Sequence, residues 1–80
     1  MIVLEKKTRK RPEEVLKKAK LFFGTEGKGL EISSEDSCCI SFTGGGGFAS
    51  ISVSEDAAYT VVKVEAREWE YQAKEFLSTL

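Results

Sequence analysis

Cys38-Cys39-Ile40-Ser41-Phe42-Thr43, then Gly44-Gly45-Gly46-Gly47, then Phe48-Ala49-Ser50-Ile51-Ser52-Val53-Ser54 occupy the middle of this 80-residue chain. Cys38, Ile40 and Phe42 alternate with Cys39, Ser41 and Thr43. Ala49, Ile51 and Val53 alternate with Phe48, Ser50, Ser52 and Ser54. Alternation of period two predicts strands with one apolar and one wet face. The same pattern flanks this pair. Leu30 and Ile32 alternate with Glu31 and Ser33, and Val62, Val64 and Ala66 with Val61, Lys63 and Glu65. Ser34-Glu35-Asp36-Ser37, the glycine run and Glu55-Asp56-Ala57-Ala58 are too short for crossovers, so four consecutive strands form an antiparallel meander.

The period changes on both sides. Pro12 suits the first position of a helix, and Glu13 and Glu14 complement its dipole. Val15, Leu16, Ala19, Phe22 and Phe23 then make one apolar stripe, Leu21 falls outside it, and Gly24 is placed for the C-terminal cap. Trp69, Ala73, Phe76, Leu77 and Leu80 form a second stripe. Met1 to Thr8 reads as a further strand. The expected fold class is therefore α+β in the order β-α-β-β-β-β-α: an antiparallel sheet with two helices packed on one face, as a single domain over residues 1–80.

Composition narrows the function classes. The chain is 41% hydrophobic and 31% charged, so it is globular rather than disordered. It has no histidine, which removes the commonest general base and metal ligand. No apolar run is long enough to span a membrane. Met1-Ile2-Val3-Leu4 passes directly into charge, unlike a secretory signal, and the expected location is cytoplasmic. Residues 1–28 carry nine basic and four acidic side chains, while residues 29–80 carry three basic and nine acidic ones. That split suits either an anionic partner or mutual attraction of the two halves, within one chain or between copies.

Five features are candidates for chemistry or recognition. Gly44, Gly45, Gly46 and Gly47 read as a flexible loop between strands, without the lysine or following helix of a phosphate cradle. Cys38 and Cys39, adjacent on a strand, are expected to point to opposite faces, leaving Cys39 as an exposed thiol in a reducing compartment. Two thiolates without histidine fall short of a zinc set, so no metal and no cofactor is expected unless two chains combine. The basic cluster Lys6 to Arg11, with Lys17, Lys18 and Lys20, lacks aromatic interleaving, which disfavours nucleic acid. Glu68 and Glu70 beside Trp69 suit a helix start, and no catalytic residue is assigned. The outward side chains Ser41, Thr43, Ser50, Ser52 and Ser54 are small and uncharged, and suit close approach of a second copy.

Phe22-Phe23-Gly24, Cys38-Cys39, Gly44 to Phe48 and Arg67-Glu68-Trp69-Glu70-Tyr71-Gln72 resemble a small group of short prokaryotic hypothetical proteins. The order of elements resembles a shortened helix-grip fold, as in the START and polyketide-cyclase families. That resemblance implies a groove between sheet and helices, with Phe22, Phe42, Trp69 and Phe76 lining a site for a small apolar ligand. The residues themselves favour a non-enzymatic domain that associates with itself as a homodimer.

Overall fold

The computed structural model describes residues Met1–Leu80. It consists of β1 (Ile2–Thr8), α1 (Pro12–Phe23), β2 (Glu31–Glu35), β3 (Cys39–Gly44), β4 (Gly47–Asp56), β5 (Tyr59–Arg67) and α2 (Glu70–Ser78). The fold is α+β, as the periodicities predict. All five strands form one antiparallel sheet in the order β1-β5-β4-β3-β2. The meander β2 to β5 follows from short turns. Local pattern says nothing about the partner of β1, which lies beside β5 with Ile2 opposite Ala66 and Thr8 opposite Thr60. The β1–α1–β2 connection therefore carries the chain from one sheet edge to the other.

Register turns the alternation into rows across the sheet. On the helix side, Leu4, Val64, Ile51 and Ile40 form one row, and Ile2, Ala66, Ala49 and Phe42 form the next. Val15, Ala19 and Phe23 of α1 and Ala73, Phe76 and Leu77 of α2 close over these rows, and most of this set is fully buried. Basic side chains also hold the roof in place. Lys6 Nζ donates to the Leu77 carbonyl at 2.9 Å, and Lys18 Nζ donates to that of Thr79 at 3.4 Å. Both bring cations to the C-terminal end of α2, where they suit the helix dipole, and the Leu77 carbonyl accepts the Leu80 N–H as well.

The roof does not reach the β2 edge. Leu30 is buried, but every residue of β2 is exposed, including Ile32 at 46%. Ile32 had been expected on the covered face. It does lie opposite Phe42, but beyond the width that two helices can cover. A register shift between Ile32 and Ser34, together with Glu31 and Glu35, breaks the regularity of this edge, a common protection against edge-to-edge pairing.

One turn carries a residue poorly suited to it. Asp56 pairs with Tyr59, so Ala57 and Ala58 alone connect β4 to β5, and Ala57 has φ of 56°. A side chain in this left-handed region costs about 1–2 kcal/mol. Glycine removes that cost but adds about 0.4–1 kcal/mol of unfolded-state entropy. Ala57→Gly should therefore gain up to about 1 kcal/mol in urea unfolding, and a loss of stability would contradict the turn geometry.

Candidate functional site

The face of the sheet opposite the helices is open. Its rows, from the β2 edge to the β1 edge, run Ser34, Ser41, Ser50, Glu65, Val3 and, one step along, Cys39, Ser52, Lys63, Glu5. In these two rows the side over β2 to β4 is small and uncharged, and the side over β5 and β1 carries charge. The next row outward is Glu31, Thr43, Phe48 and Arg67, with Arg67 over the Phe48 ring. Ser41 and Ser50 share a hydrogen bond between their hydroxyls at 2.9 Å, and both are half-buried. Lys63 and Glu65 sit two apart on β5, with Nζ and Oε1 separated by 3.9 Å. Cys39, Ser41, Ser50, Ser52, Lys63 and Glu65 surround a shallow depression of about 190 Å³. The floor is smooth because no side chain longer than serine projects from its centre.

The aromatic residues nominated for a ligand groove separate into three environments. Phe42 and Phe76 are fully buried, each stacked at a tilt on Phe23, with ring centres 5.5 and 5.6 Å away. Phe22 is half-buried and touches both Phe23 and Phe76. Side chains therefore occupy the space between sheet and helices. An open groove of about 310 Å³ lies outside, bounded by Lys18, Leu21, Phe22, Phe76 and Thr79, and neither Phe42 nor Trp69 lines it. Trp69 belongs to the opposite end of α2, where its indole N–H donates to the Gly44 carbonyl at 2.8 Å.

That contact defines the glycine run. Gly44 pairs with Gly47, so the loop expected to be flexible is a two-residue hairpin turn. Its central residues, Gly45 and Gly46, both have positive φ, at 59° and 81°, as the tightest hairpin turn requires. Trp69 lies against Gly45, where an added Cβ would come within 3.0 Å of its ring. The four glycines therefore answer to backbone geometry and to the indole.

The cysteines also depart from expectation. The strand begins at Cys39, and Cys38 lies in the preceding bend, exposed to solvent. The alternation that would separate adjacent side chains does not extend to Cys38, and the two sulfurs are joined as a disulfide. The free thiol expected at Cys39 is therefore not present. Asp36 sits over the same bend, with its Oδ1 accepting the Cys38 N–H at 2.9 Å. Counting residue types along the chain finds two thiols. Only the turn shows that a carboxylate joins them.

Charge is paired across the chain. Lys7 meets Asp56, Lys20 meets Glu35 and Lys28 meets Glu75, at 3.4, 2.6 and 3.5 Å. Each pair joins the basic first third to the acidic remainder. Arg9 rests over the Tyr59 ring, 5.6 Å from its centre. Three of the nine basic side chains in the first third are thus paired with acids of the remainder within one molecule. Glu70, the first residue of α2, has a carboxyl held below its ordinary value, chiefly by a hydrogen bond from its own backbone N–H. This is the behaviour of a carboxylate at a helix start.

No protein-family model matches the chain, and no curated protein sequence matches it. No helix is long and apolar enough to cross a membrane.

Proposed function

We propose that this chain is a non-enzymatic association module that works as a homodimer, with the open faces of two sheets packed together. One observation carries the reading: the rows Ser34, Ser41, Ser50 and Cys39, Ser52 present small uncharged side chains over three adjacent strands, with no helix above them. Two sheets pack face to face at about 10 Å when the side chains between them interdigitate, and serines allow that approach.

Charge favours a second copy as the occupant. Under a two-fold axis across the strands, Lys63 of one chain lies opposite Glu65 of the other, and the serine rows lie on each other. Five strands at about 4.8 Å and seven residues at about 3.3 Å give each face roughly 550 Å². Two copies would bury about 1,100 Å², in the size class of weak, transient interfaces. We infer a cytoplasmic location, where a reducing pool would open the Cys38–Cys39 disulfide to two thiols.

A small apolar ligand is the second reading, favoured by the groove where Phe22 and Phe76 meet beside the exposed Leu21. It has less support, because Phe42 and Trp69 do not contribute to that groove.

Sedimentation equilibrium at micromolar concentration tests the dimer. The wild-type chain should run at twice its 8.9 kDa mass. Ser50→Arg, a charge placed at the centre of the open face, should run as a folded monomer. A wild-type monomer at both low and high salt would overturn the proposal. So would an Ser50→Arg variant that dimerises as well as wild type.

A further inference from the structure

The β2–β3 turn gathers a carboxylate and two sulfurs that, once reduced, become thiolate ligands. The ligand atoms of Asp36, Cys38 and Cys39 all lie within 4.8 Å of one another. Their backbone is pinned on both sides. The Asp36 N–H donates to the Cys39 carbonyl, and the Val53 N–H of β4 donates to the Cys38 carbonyl, both at 2.9 Å. The Asp36 carboxylate is itself oriented, because one oxygen accepts the Cys38 N–H and the other is left to bind elsewhere. The neighbouring Glu35 is committed to Lys20 at 2.6 Å. Asp36 is therefore the carboxylate available to the sulfurs, and Cys38 and Asp36 both face solvent, from which an ion can enter.

We propose that the reduced Cys38–Cys39 pair and Asp36 form a zinc site in this turn, with two thiolates and one carboxylate as protein ligands and water in the fourth position. Zinc–sulfur bonds of about 2.3 Å at a tetrahedral angle place two sulfurs about 3.8 Å apart. Once the disulfide opens, rotation about the cysteine side-chain bonds is enough to reach that separation, and the carboxylate is already within range. The site depends on redox state because a disulfide sulfur is not a thiolate ligand.

The chemistry balances with a named reductant. A trialkylphosphine attacks one sulfur and the S–S bond breaks. Water supplies oxygen to the phosphorus, giving the phosphine oxide, and its two protons leave both sulfurs as thiols. Zinc then forms two Zn–S bonds and displaces those two protons to solvent. In a reducing cell a dithiol would play the phosphine's part, closing its own disulfide in exchange. All three ligands come from one chain, but Cys39 also lies on the face proposed for association. Zinc binding is therefore measured on the Ser50→Arg variant as well as on wild type, which keeps a failure of the dimer distinguishable from a failure of the site.

The test uses the full chain in two states, reduced by a trialkylphosphine under inert gas and oxidised, each titrated with zinc against a chromophoric chelator. Reduced wild-type protein should bind one zinc per chain, and oxidised protein should bind none. Cobalt in place of zinc should give a thiolate-to-metal charge-transfer band in the reduced state alone. Cys38→Ser and Cys39→Ser should each weaken zinc binding by more than the roughly 10–100-fold that loss of an outer-shell partner costs. Asp36→Asn should weaken it about tenfold, as loss of a ligand's charge implies. Circular dichroism confirms that each variant is folded, and the oxidised wild type serves as a control that needs no substitution. Equal binding by the two redox states, or by either serine variant and wild type, would overturn the site. One zinc per two chains, or undiminished binding by Asp36→Asn, would overturn the assignment of Asp36 as third ligand.

Discussion

Phe76→Ala should lower the stability of the fold by about 3–5 kcal/mol. Phe76 is fully buried on α2, with its ring 5.7 Å from Phe22 and 5.6 Å from Phe23. Phe23 in turn stands on Phe42 of β3. The aromatic cluster is thus the join between both helices and the sheet, and no other side chain can collapse into the gap without undoing one of those contacts. Removing a buried phenylalanine costs about 3–5 kcal/mol. A chain of this length has roughly 4–12 kcal/mol in total. Phe76→Leu keeps most of the volume and should cost no more than about 1.5 kcal/mol. Urea titrations followed by far-ultraviolet circular dichroism separate the two. A Phe76→Ala midpoint within 1 M of wild type would mean that the helices do not depend on this cluster.

Gly47→Ala should be the most damaging substitution in the hairpin, although it adds one methyl group. A Cβ at Gly47 would run into the Arg67 carbonyl oxygen and come within 2.6 Å of the Glu68 Cβ. The Arg67 obstacle is backbone and the Glu68 Cβ is fixed directly to it, so β4 and β5 must part at this end. The expected loss is about 3 kcal/mol, at the upper end for overpacking. Gly46 gives the contrast, since its φ of 81° is strained for alanine but the surrounding space is empty. Gly46→Ala should cost about 1–2 kcal/mol. Trp69, the single tryptophan, reports on the difference. In Gly47→Ala its bond to Gly44 should break and its emission shift to the red, while Gly46→Ala should leave the emission in place. The reverse order of the two variants would contradict the close approach of β4 to Arg67.

These two sites show what periodicity reveals. Ile40 and Phe42, Ala49 and Ile51, and Val62 and Val64 are legible as one apolar face because their strands are central and lie under the helices. Ile32 obeys the same alternation and is exposed, because local pattern does not report how far the roof extends. Cys38 fits the alternation equally well but lies in a bend, because Asp36 draws the chain into a turn there, accepting the Cys38 N–H and donating to the Cys39 carbonyl. The partner of β1 is set by contacts some sixty residues away. The proximity of Asp36 to the sulfurs is a property of one turn, which residue counting misses. The charge split was visible as an alternative between internal and external pairing. Only the three-dimensional arrangement of Lys7, Lys20 and Lys28 against Asp56, Glu35 and Glu75 settles how much is internal.

The pairing of β1 with β5 has a consequence for biosynthesis. Ile2 leaves the ribosome well before its neighbour in the sheet, Ala66, has been made. At about 5–20 residues per second, the interval is roughly 3–13 s. Throughout it, Ile2, Val3 and Leu4 wait as an apolar segment without its strand partner, with its backbone groups bonded to water and the cations Lys6 to Arg11 following it.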